Sequence, residues 1–159
     1  MMIMNKTWFG LFLLLLIGCS KDSTVTPEAQ LAKDVAIIDK YLSDNGITAI
    51  SDPSGLRYVV TTAGTGVKPT LLNKIKVKYV GKLMSSGAIF DETKGTATAT
   101  FALSTLIQGW QIGFPLLNKG SKATMYIPSG LGYGTKGAPP TIPTNANLIF
   151  DVELIDVTN

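Results

Sequence analysis

Histidine is absent from this 159-residue chain, and cysteine and arginine occur once each, as Cys19 and Arg57. Without histidine, the chain can build neither a Ser-His triad nor a Cys-His pair, and a metal site made of His and Cys ligands is excluded. Proteins that read nucleic acids usually rely on arginine, and the formal net charge here is only +3. We therefore expect no metal, no cofactor and no nucleic-acid partner. Any catalysis must work through shape, burial and hydrogen bonds.

Residues 1–18 predict a signal peptide. Lys6 precedes an apolar run from Trp8 to Ile17, which has the length of a signal-peptide core and is too short to span a bilayer. The run ends in Leu16-Ile17-Gly18-Cys19, which resembles the lipobox of bacterial lipoproteins. We expect Cys19 to be acylated and to anchor the chain to a membrane. The alternative is an ordinary signal peptide with an incidental cysteine.

The cell envelope is the expected location of such a lipoprotein. Ser20, and not an aspartate, follows Cys19, and this resembles lipoproteins sent to the outer membrane of Gram-negative bacteria. The sequence leaves open whether the chain faces the periplasm or the outside.

A polar tether over residues 19–27 is expected to lead into a helix over residues 28–46. Thr26 suits the N-cap and Pro27 the first turn, while Asn45-Gly46 provides a stop. The apolar residues that recur at helical spacing are Leu31, Val35, Ile38 and Leu42. We interpret the helix as a packing element of a monomer, since a single short helix needs tertiary contacts to persist. The alternative is a dimerisation segment.

Residues 55–159 predict one domain of the α+β class. Apolar residues alternate with lysines from Lys74 to Val80, Ser85-Ser86-Gly87 supplies a turn, and a return strand begins at Ala88. The same alternation predicts strands over residues 56–60, 121–128 and 147–157. A short helix is expected over residues 106–117. The predicted architecture is a curved antiparallel sheet, or half-barrel, wrapped on that helix, with the extra helix at the N-terminus.

The predicted hairpin brings Tyr79, Phe90 and Asp91 together on one apolar surface. A carboxylate on such a surface costs free energy unless it has a partner or a function. This surface is therefore the candidate functional site.

Six separated motifs resemble the FKBP-type peptidyl-prolyl isomerases in the same order, over about Leu56 to Val157. They are Val77-Lys78-Tyr79-Val80-Gly81, Phe90-Asp91, Leu106-Ile107-Gln108-Gly109-Trp110, Gly132-Tyr133-Gly134, Ile142-Pro143 and the strand from Leu148 to Leu154. The resemblance implies an FKBP-like fold and isomerisation of Xaa-Pro bonds in proline-containing polypeptides.

The resemblance also implies roles for individual residues. Those assigned to catalysis are Asp91, Tyr133, Tyr79 and Ile107, with the Tyr133 hydroxyl and the Ile107 N–H holding substrate carbonyls. Those assigned to substrate binding are Phe90, Trp110, Phe101, Ile142 and Phe150, with Trp110 as the floor and Ile142 at the rim. Taken singly, each aromatic residue is more often part of a core.

Alanines replace larger side chains at two positions of the resemblance, Ala99 and Ala138, and predict a pocket that is wider and less aromatic on one side. Ala99 favours an alternative in which the chain binds unfolded polypeptides or a fixed partner with little turnover. A third interpretation is an interaction scaffold, since a fold does not determine a function.

Overall fold

The computed structural model describes residues 25–159. The predicted signal peptide, Cys19 and the tether up to residue 24 lie outside the described residues. Helix α1 covers Pro27–Asp44, and the Thr26 hydroxyl oxygen accepts a hydrogen bond from the Ala29 N–H at 3.2 Å. The sequence predicts this cap. Within residues 25–159, no helix is both long enough and apolar enough to cross a membrane.

Seven strands form one sheet in which every pairing is antiparallel. The sheet has the order β1-β2-β6-β7-β3-β4, and β5 pairs beside β4 on the same edge of β3. The strands are β1 (Ile50–Ser51), β2 (Arg57–Thr62), β3 (Lys74–Leu83), β4 (Ile89–Glu92), β5 (Ala99–Ala102), β6 (Lys122–Ile127) and β7 (Leu148–Thr158). The predicted α+β class with an N-terminal helix is confirmed.

A short helix packs against one face of the sheet. Helix α2 covers Gln108–Gly113 and continues as a 3-10 turn over Phe114–Leu116. A Cβ atom on Gly109 would lie 2.6 Å from the Ile127 side chain, so the helix can approach β6 this closely only with glycine there. The predicted helix over residues 106–117 is therefore too long, because the segment narrows to a 3-10 turn at Pro115.

Helix α1 packs against the opposite face of the sheet. Ile38 and Leu42 are buried there against Met84, Tyr126 and Ile149. Burial of each of the two helical side chains contributes about 1.5–3 kcal/mol. Alternation along β6 predicts an outward Tyr126, but its ring is buried because α1 covers this face. The helix is docked, as the packing interpretation expects.

Two strands are absent from the prediction. Strand β1 has only two residues, and β5 has four residues with a single large apolar side chain, Phe101. Neither is long enough to show a period of two in the sequence. Both are held by pairing with a longer neighbour, β1 with β2 and β5 with β3.

Candidate active site

An apolar cleft of about 160 Å³ opens on the α2 side of the sheet. Strands β3, β4, β5 and β7 contribute to its lining, as do the segment leading into α2 and the loop after β6. The lining residues are Tyr79, Phe90, Asp91, Phe101, Leu106, Ile107, Trp110, Tyr133 and Phe150. Six of these nine side chains are aromatic, which suits a flat, weakly polar group of a ligand.

Trp110 forms the centre of the cleft and is only 4% exposed. Its ring makes edge contacts with Tyr79 and Phe150, at centroid distances of 5.3 and 5.2 Å, and with Phe114 at 4.9 Å. Its Nε1–H is buried and has no hydrogen-bond partner among residues 25–159. Packing on several sides fixes this indole as a rigid floor.

The wall of the cleft depends on a glycine in β3. Phe90 and Phe150 meet edge to face at 5.4 Å, with their rings at 85°. A Cβ atom on Gly81 would lie 2.7 Å from Phe90 Cζ and 2.8 Å from Phe150 Cε1. Only glycine leaves room for both rings over β3, which explains the last residue of the Val-Lys-Tyr-Val-Gly motif.

Two tyrosine hydroxyls and a carboxylate lie at the polar end of the cleft. The Tyr79 hydroxyl donates to Asp91 Oδ2 at 2.7 Å. Burial raises the pKa of Tyr79, and its hydrogen bond to Asp91 raises it further. Burial and the negative charge of Asp91 also raise the pKa of Tyr133, whose side chain is 38% exposed. Both hydroxyls therefore stay protonated at neutral pH, and both can donate hydrogen bonds.

Ile107 supplies a backbone donor beside these hydroxyls. It is the N-cap residue of α2, and its carbonyl accepts from the N–H groups of Trp110 and Gln111 at 2.9 and 3.2 Å. Its own N–H donates no hydrogen bond within the described range. An unpaired N–H next to an apolar cleft can donate a hydrogen bond to a carbonyl oxygen of a ligand.

Eight of the nine residues assigned from the sequence line this cleft together. The exception is Ile142, which is buried and lines an adjoining depression of about 220 Å³ with Phe90, Asp91 and Tyr133. Leu106 lines the cleft but is absent from the sequence assignment. The sequence could have indicated Leu106, because it directly precedes Ile107 in the quoted motif.

The two alanines differ in their relation to the cleft. Ala99 pairs with Val77 in the sheet and does not line the cleft, so this position adds no aromatic surface to its wall. Ala138 lies in the adjoining depression, where its N–H donates to the Ile142 carbonyl at 2.8 Å.

A wider and more open groove of about 420 Å³ lies elsewhere on the sheet. Three of its four charged lining residues are paired: Lys122 with Glu153, and Asp151 with the neighbouring Lys82. It lacks the enclosed apolar surface of the aromatic cleft, which we therefore take as the candidate site. Among residues 25–159, no three His, Cys, Asp or Glu side chains are grouped so that they could hold a metal ion.

Residues 66–155, more than half of the chain, match the family described as FKBP-type peptidyl-prolyl cis-trans isomerase. The chain belongs to this FKBP family. A probable FKBP-type peptidyl-prolyl cis-trans isomerase, FkpA of Neisseria meningitidis, is 38% identical over 131 residues, which are 82% of this chain and 47% of that protein. The outer membrane protein MIP of Legionella longbeachae is 37% identical over 131 residues, 82% of this chain and 55% of that protein.

This FKBP chain spans about half the length of those two curated relatives. A crystal structure of a peptidyl-prolyl cis-trans isomerase from Pseudomonas syringae is similar to it with a TM-score of 0.72 and 31% identity, covering 84% of this chain and 97% of the other. The crystal structure of FkpA from Escherichia coli gives 0.69 and 34%, covering 82% and 64%. The FKBP fold therefore extends beyond the matched segment and includes most of the described residues.

Proposed function

We propose that this chain catalyses cis-trans isomerisation of Xaa-Pro bonds in polypeptides that fold outside the cytoplasm. The observation that carries the proposal is the aromatic cleft, which has free hydrogen-bond donors at one end and no Ser, Thr, Cys, Lys or His side chain in its lining. Membership of the FKBP family and the relatives named as isomerases support it.

Isomerisation of a prolyl bond is opposed by amide resonance, and the barrier to rotation is about 18–20 kcal/mol. The twisted amide has lost part of this resonance, and it is less polar than the planar amide, which water solvates better. A rigid apolar cleft around Trp110 therefore favours the twisted form over the planar one. Stronger binding of the transition state than of the ground state is what raises the rate.

Hydrogen bonds at the mouth of the cleft hold the substrate in register. The Tyr133 hydroxyl and the Ile107 N–H are the two donors available to substrate carbonyls. Asp91 keeps the Tyr79 hydroxyl oriented and places a negative charge beside the rotating amide. No proton transfer is needed, which agrees with a chain that has no histidine.

A protease-coupled assay with a Leu-Pro peptide tests the proposal, alongside refolding of a protein limited by proline isomerisation. We expect the protein to accelerate both. Tyr133→Phe should lower kcat/KM while the free energy of unfolding is unchanged, because the hydroxyl is at a rim where the ring stays in place. Rates equal to the uncatalysed ones would disprove the isomerase assignment.

The alternative of a binding module with little turnover predicts a different pair of results. Such a protein would bind a proline-containing peptide, detected by a change in Trp110 fluorescence, but would leave its isomerisation rate unchanged. Ala99, which adds no aromatic surface to the cleft, is the sequence feature that favours this alternative.

We also propose that Cys19 carries a lipid that anchors the chain in the cell envelope, in the outer membrane. The lipobox-like sequence Leu16-Ile17-Gly18-Cys19 supports this, and one similar protein is named an outer membrane protein. The wild-type protein should partition into the detergent phase and carry acyl mass on its first mature residue. A Cys19→Ser variant that is processed and retained in the membrane in the same way would disprove the anchor.

A further inference from the structure

Helix α1 carries a carboxylate on its buried face. Asp34 is 1% exposed and lies on the stripe that also contains Ile38 and Leu42. Among the described residues it forms no ion pair with a lysine or arginine. Burying an unpaired charge costs free energy. An apolar side chain at this position would dock the helix without that cost, so helix docking does not by itself account for Asp34.

Both oxygens of Asp34 accept hydrogen bonds. Oδ2 accepts from the backbone N–H of Ser129 at 2.9 Å and from the Ser129 hydroxyl at 2.5 Å. Oδ1 accepts from Gln30 Nε2 at 2.7 Å. Two of these three donors belong to Ser129, which lies 95 residues further along the chain, in the 3-10 turn Ser129–Leu131 after β6.

Ser129 in turn holds the residues on either side of Tyr133. Its carbonyl accepts from the N–H of Gly132 at 3.0 Å and from the N–H of Gly134 at 2.8 Å. Both neighbours of Tyr133 are therefore tied to one oxygen atom. A short path of hydrogen bonds runs from α1 through Ser129 to the backbone that carries the Tyr133 side chain.

The far end of the same loop also contacts Ser129. The Ser129 N–H donates a second hydrogen bond, to Asn147 Oδ1 at 3.1 Å, and Asn147 directly precedes β7. Glycines at 132 and 134 give the backbone on both sides of Tyr133 little intrinsic stiffness. Hydrogen bonds to other residues must therefore fix this tyrosine, and the two that Ser129 donates to Asp34 connect its loop to α1.

We propose that Asp34 is a positioning residue that fixes Tyr133 at the mouth of the cleft, so that α1 is a functional part of the site. This inference rests on the proposed isomerase function, because Tyr133 is placed there as a donor to the substrate. Asp34 does not touch the substrate and acts through Ser129.

Three variants of helix α1 separate positioning from simple docking. Asp34→Ala removes the acceptor for Ser129, whose N–H keeps Asn147 as a partner. Asp34→Asn keeps one oxygen for Ser129, and its amide can donate to Gln30 after the Gln30 amide rotates. Asp44→Ala is the matched control, because Asp44 is an exposed carboxylate of the same helix, paired with Lys40.

The measurements are kcat/KM for a Leu-Pro peptide, the free energy of unfolding, and the NMR signal of the Tyr133 ring in protein with 13C-labelled tyrosine. The Tyr133 signal is assigned by its loss in Tyr133→Phe. We expect Asp34→Ala to shift this signal and to lower kcat/KM about tenfold, since a displacement of about 1 Å can cost up to about a hundredfold. Asp34→Asn should restore both to near wild type, and Asp44→Ala should change neither.

A purely structural Asp34 gives a different pattern. Asp34→Ala would then lower the free energy of unfolding while the Tyr133 signal and the kcat/KM of the folded protein stay at wild-type values, and the inference would be overturned. Failure of Asp34→Asn to restore the signal would also overturn it. The NMR comparison decides the role of Asp34 even if the wild-type protein proves to have no isomerase activity, which would refute only the proposed function.

Loss of folding in Asp34→Ala would leave a milder variant for the same comparison. Ser129→Ala removes the hydroxyl donor and keeps the N–H donor to Asp34. It should shift the Tyr133 signal in the same direction by a smaller amount. An unmoved signal in this folded variant would contradict the positioning role.

Discussion

Replacing Tyr79 with phenylalanine removes one oxygen atom and leaves the ring in its contacts with Trp110 and Phe150. The bond that is lost is the 2.7 Å hydrogen bond to Asp91. A hydrogen bond to a charged group contributes about 1.5–3 kcal/mol, and we take the lower end because Asp91 is exposed to solvent. Because this bond is present in the free protein, only the part of its free energy that orients the carboxylate for the transition state affects the rate. If all of it does, about 1.4 kcal/mol of transition-state stabilisation is lost, and kcat/KM should fall about tenfold.

Asp91→Ala should cause a loss of similar size, because it removes the other half of the same bond. If the Tyr79 hydroxyl and the Asp91 carboxylate act as one unit, the double variant Tyr79→Phe/Asp91→Ala should lose about as much activity as either single variant. Two independent contributions would instead multiply to about a hundredfold. Comparison of the two single variants with the double variant is a double-mutant cycle, and it measures the coupling free energy between Tyr79 and Asp91.

The assay is protease-coupled isomerisation of a Leu-Pro peptide by variants whose unfolding in urea is measured in parallel. Glu92→Ala is the matched control for Asp91, since it removes the next carboxylate on β4, which is not a lining residue of the cleft. Tyr58→Phe is the control for Tyr79. The reasoning is refuted if both single variants isomerise the peptide as fast as wild type, or if the double variant shows the multiplied loss.

Further predictions concern stability, pH and assembly. Trp110→Ala should lower the free energy of unfolding by about 3–5 kcal/mol and abolish turnover, as deletion of a large buried aromatic side chain does; a urea midpoint near wild type would contradict this. The kcat/KM should be nearly flat from about pH 6 to 8, because the chain has no histidine and both cleft tyrosines have raised pKa values; a titration near pH 7 would show that another group takes part. The free energy of unfolding should fall above about pH 10, where an unfolded tyrosine loses its proton while Tyr79 and Tyr133 in the folded protein retain theirs. Their contribution is complete below that pH, and Tyr79→Phe should therefore make the alkaline fall shallower in urea titrations at several pH values. Sedimentation at micromolar concentration should give a monomer, since Ile38 and Leu42 of α1 are already packed against the sheet; a dimer that dissociates when α1 is disrupted would be the opposite result.

Strands and aromatic site residues could be predicted because their signals are local or belong to a motif. The alternation from Lys74 to Val80 predicts a strand with one solvent-exposed face and one buried face, and β3 has both. Tyr79, Phe90 and Asp91 meet because a hairpin brings its two strands together and a bulge at Phe90 lets consecutive residues of β4 face the cleft. Such contacts follow from the chain's own short-range geometry.

The contacts made by α1 could not be predicted in the same way. The alternation along β6 places Tyr126 on the outward face, and its ring is buried only because α1 packs on that face of the sheet. Strand β5 exists only by its pairing with β3. In both cases the environment is set by a segment distant in sequence, which the local pattern does not contain.

The burial of Asp34 is indicated by its spacing in the sequence. It lies three residues after Leu31 and four before Ile38, on the apolar stripe of the helix. A carboxylate at that spacing predicts a buried acid with a specific partner. The identity of the partner, Ser129, requires the fold.

The two ends of the sheet bear on how the proposed isomerase would release a polypeptide. The sheet ends in β1, which has two residues, and at its other edge in β4 and β5, which have four residues each. An unfolded polypeptide can add itself to an open strand edge through backbone hydrogen bonds that are independent of its sequence, and this is a route to aggregation. Such short outer strands offer few unpaired backbone groups to a client. Under the proposed function, retention of a polypeptide would then depend on the aromatic cleft and would last only as long as one proline stays bound.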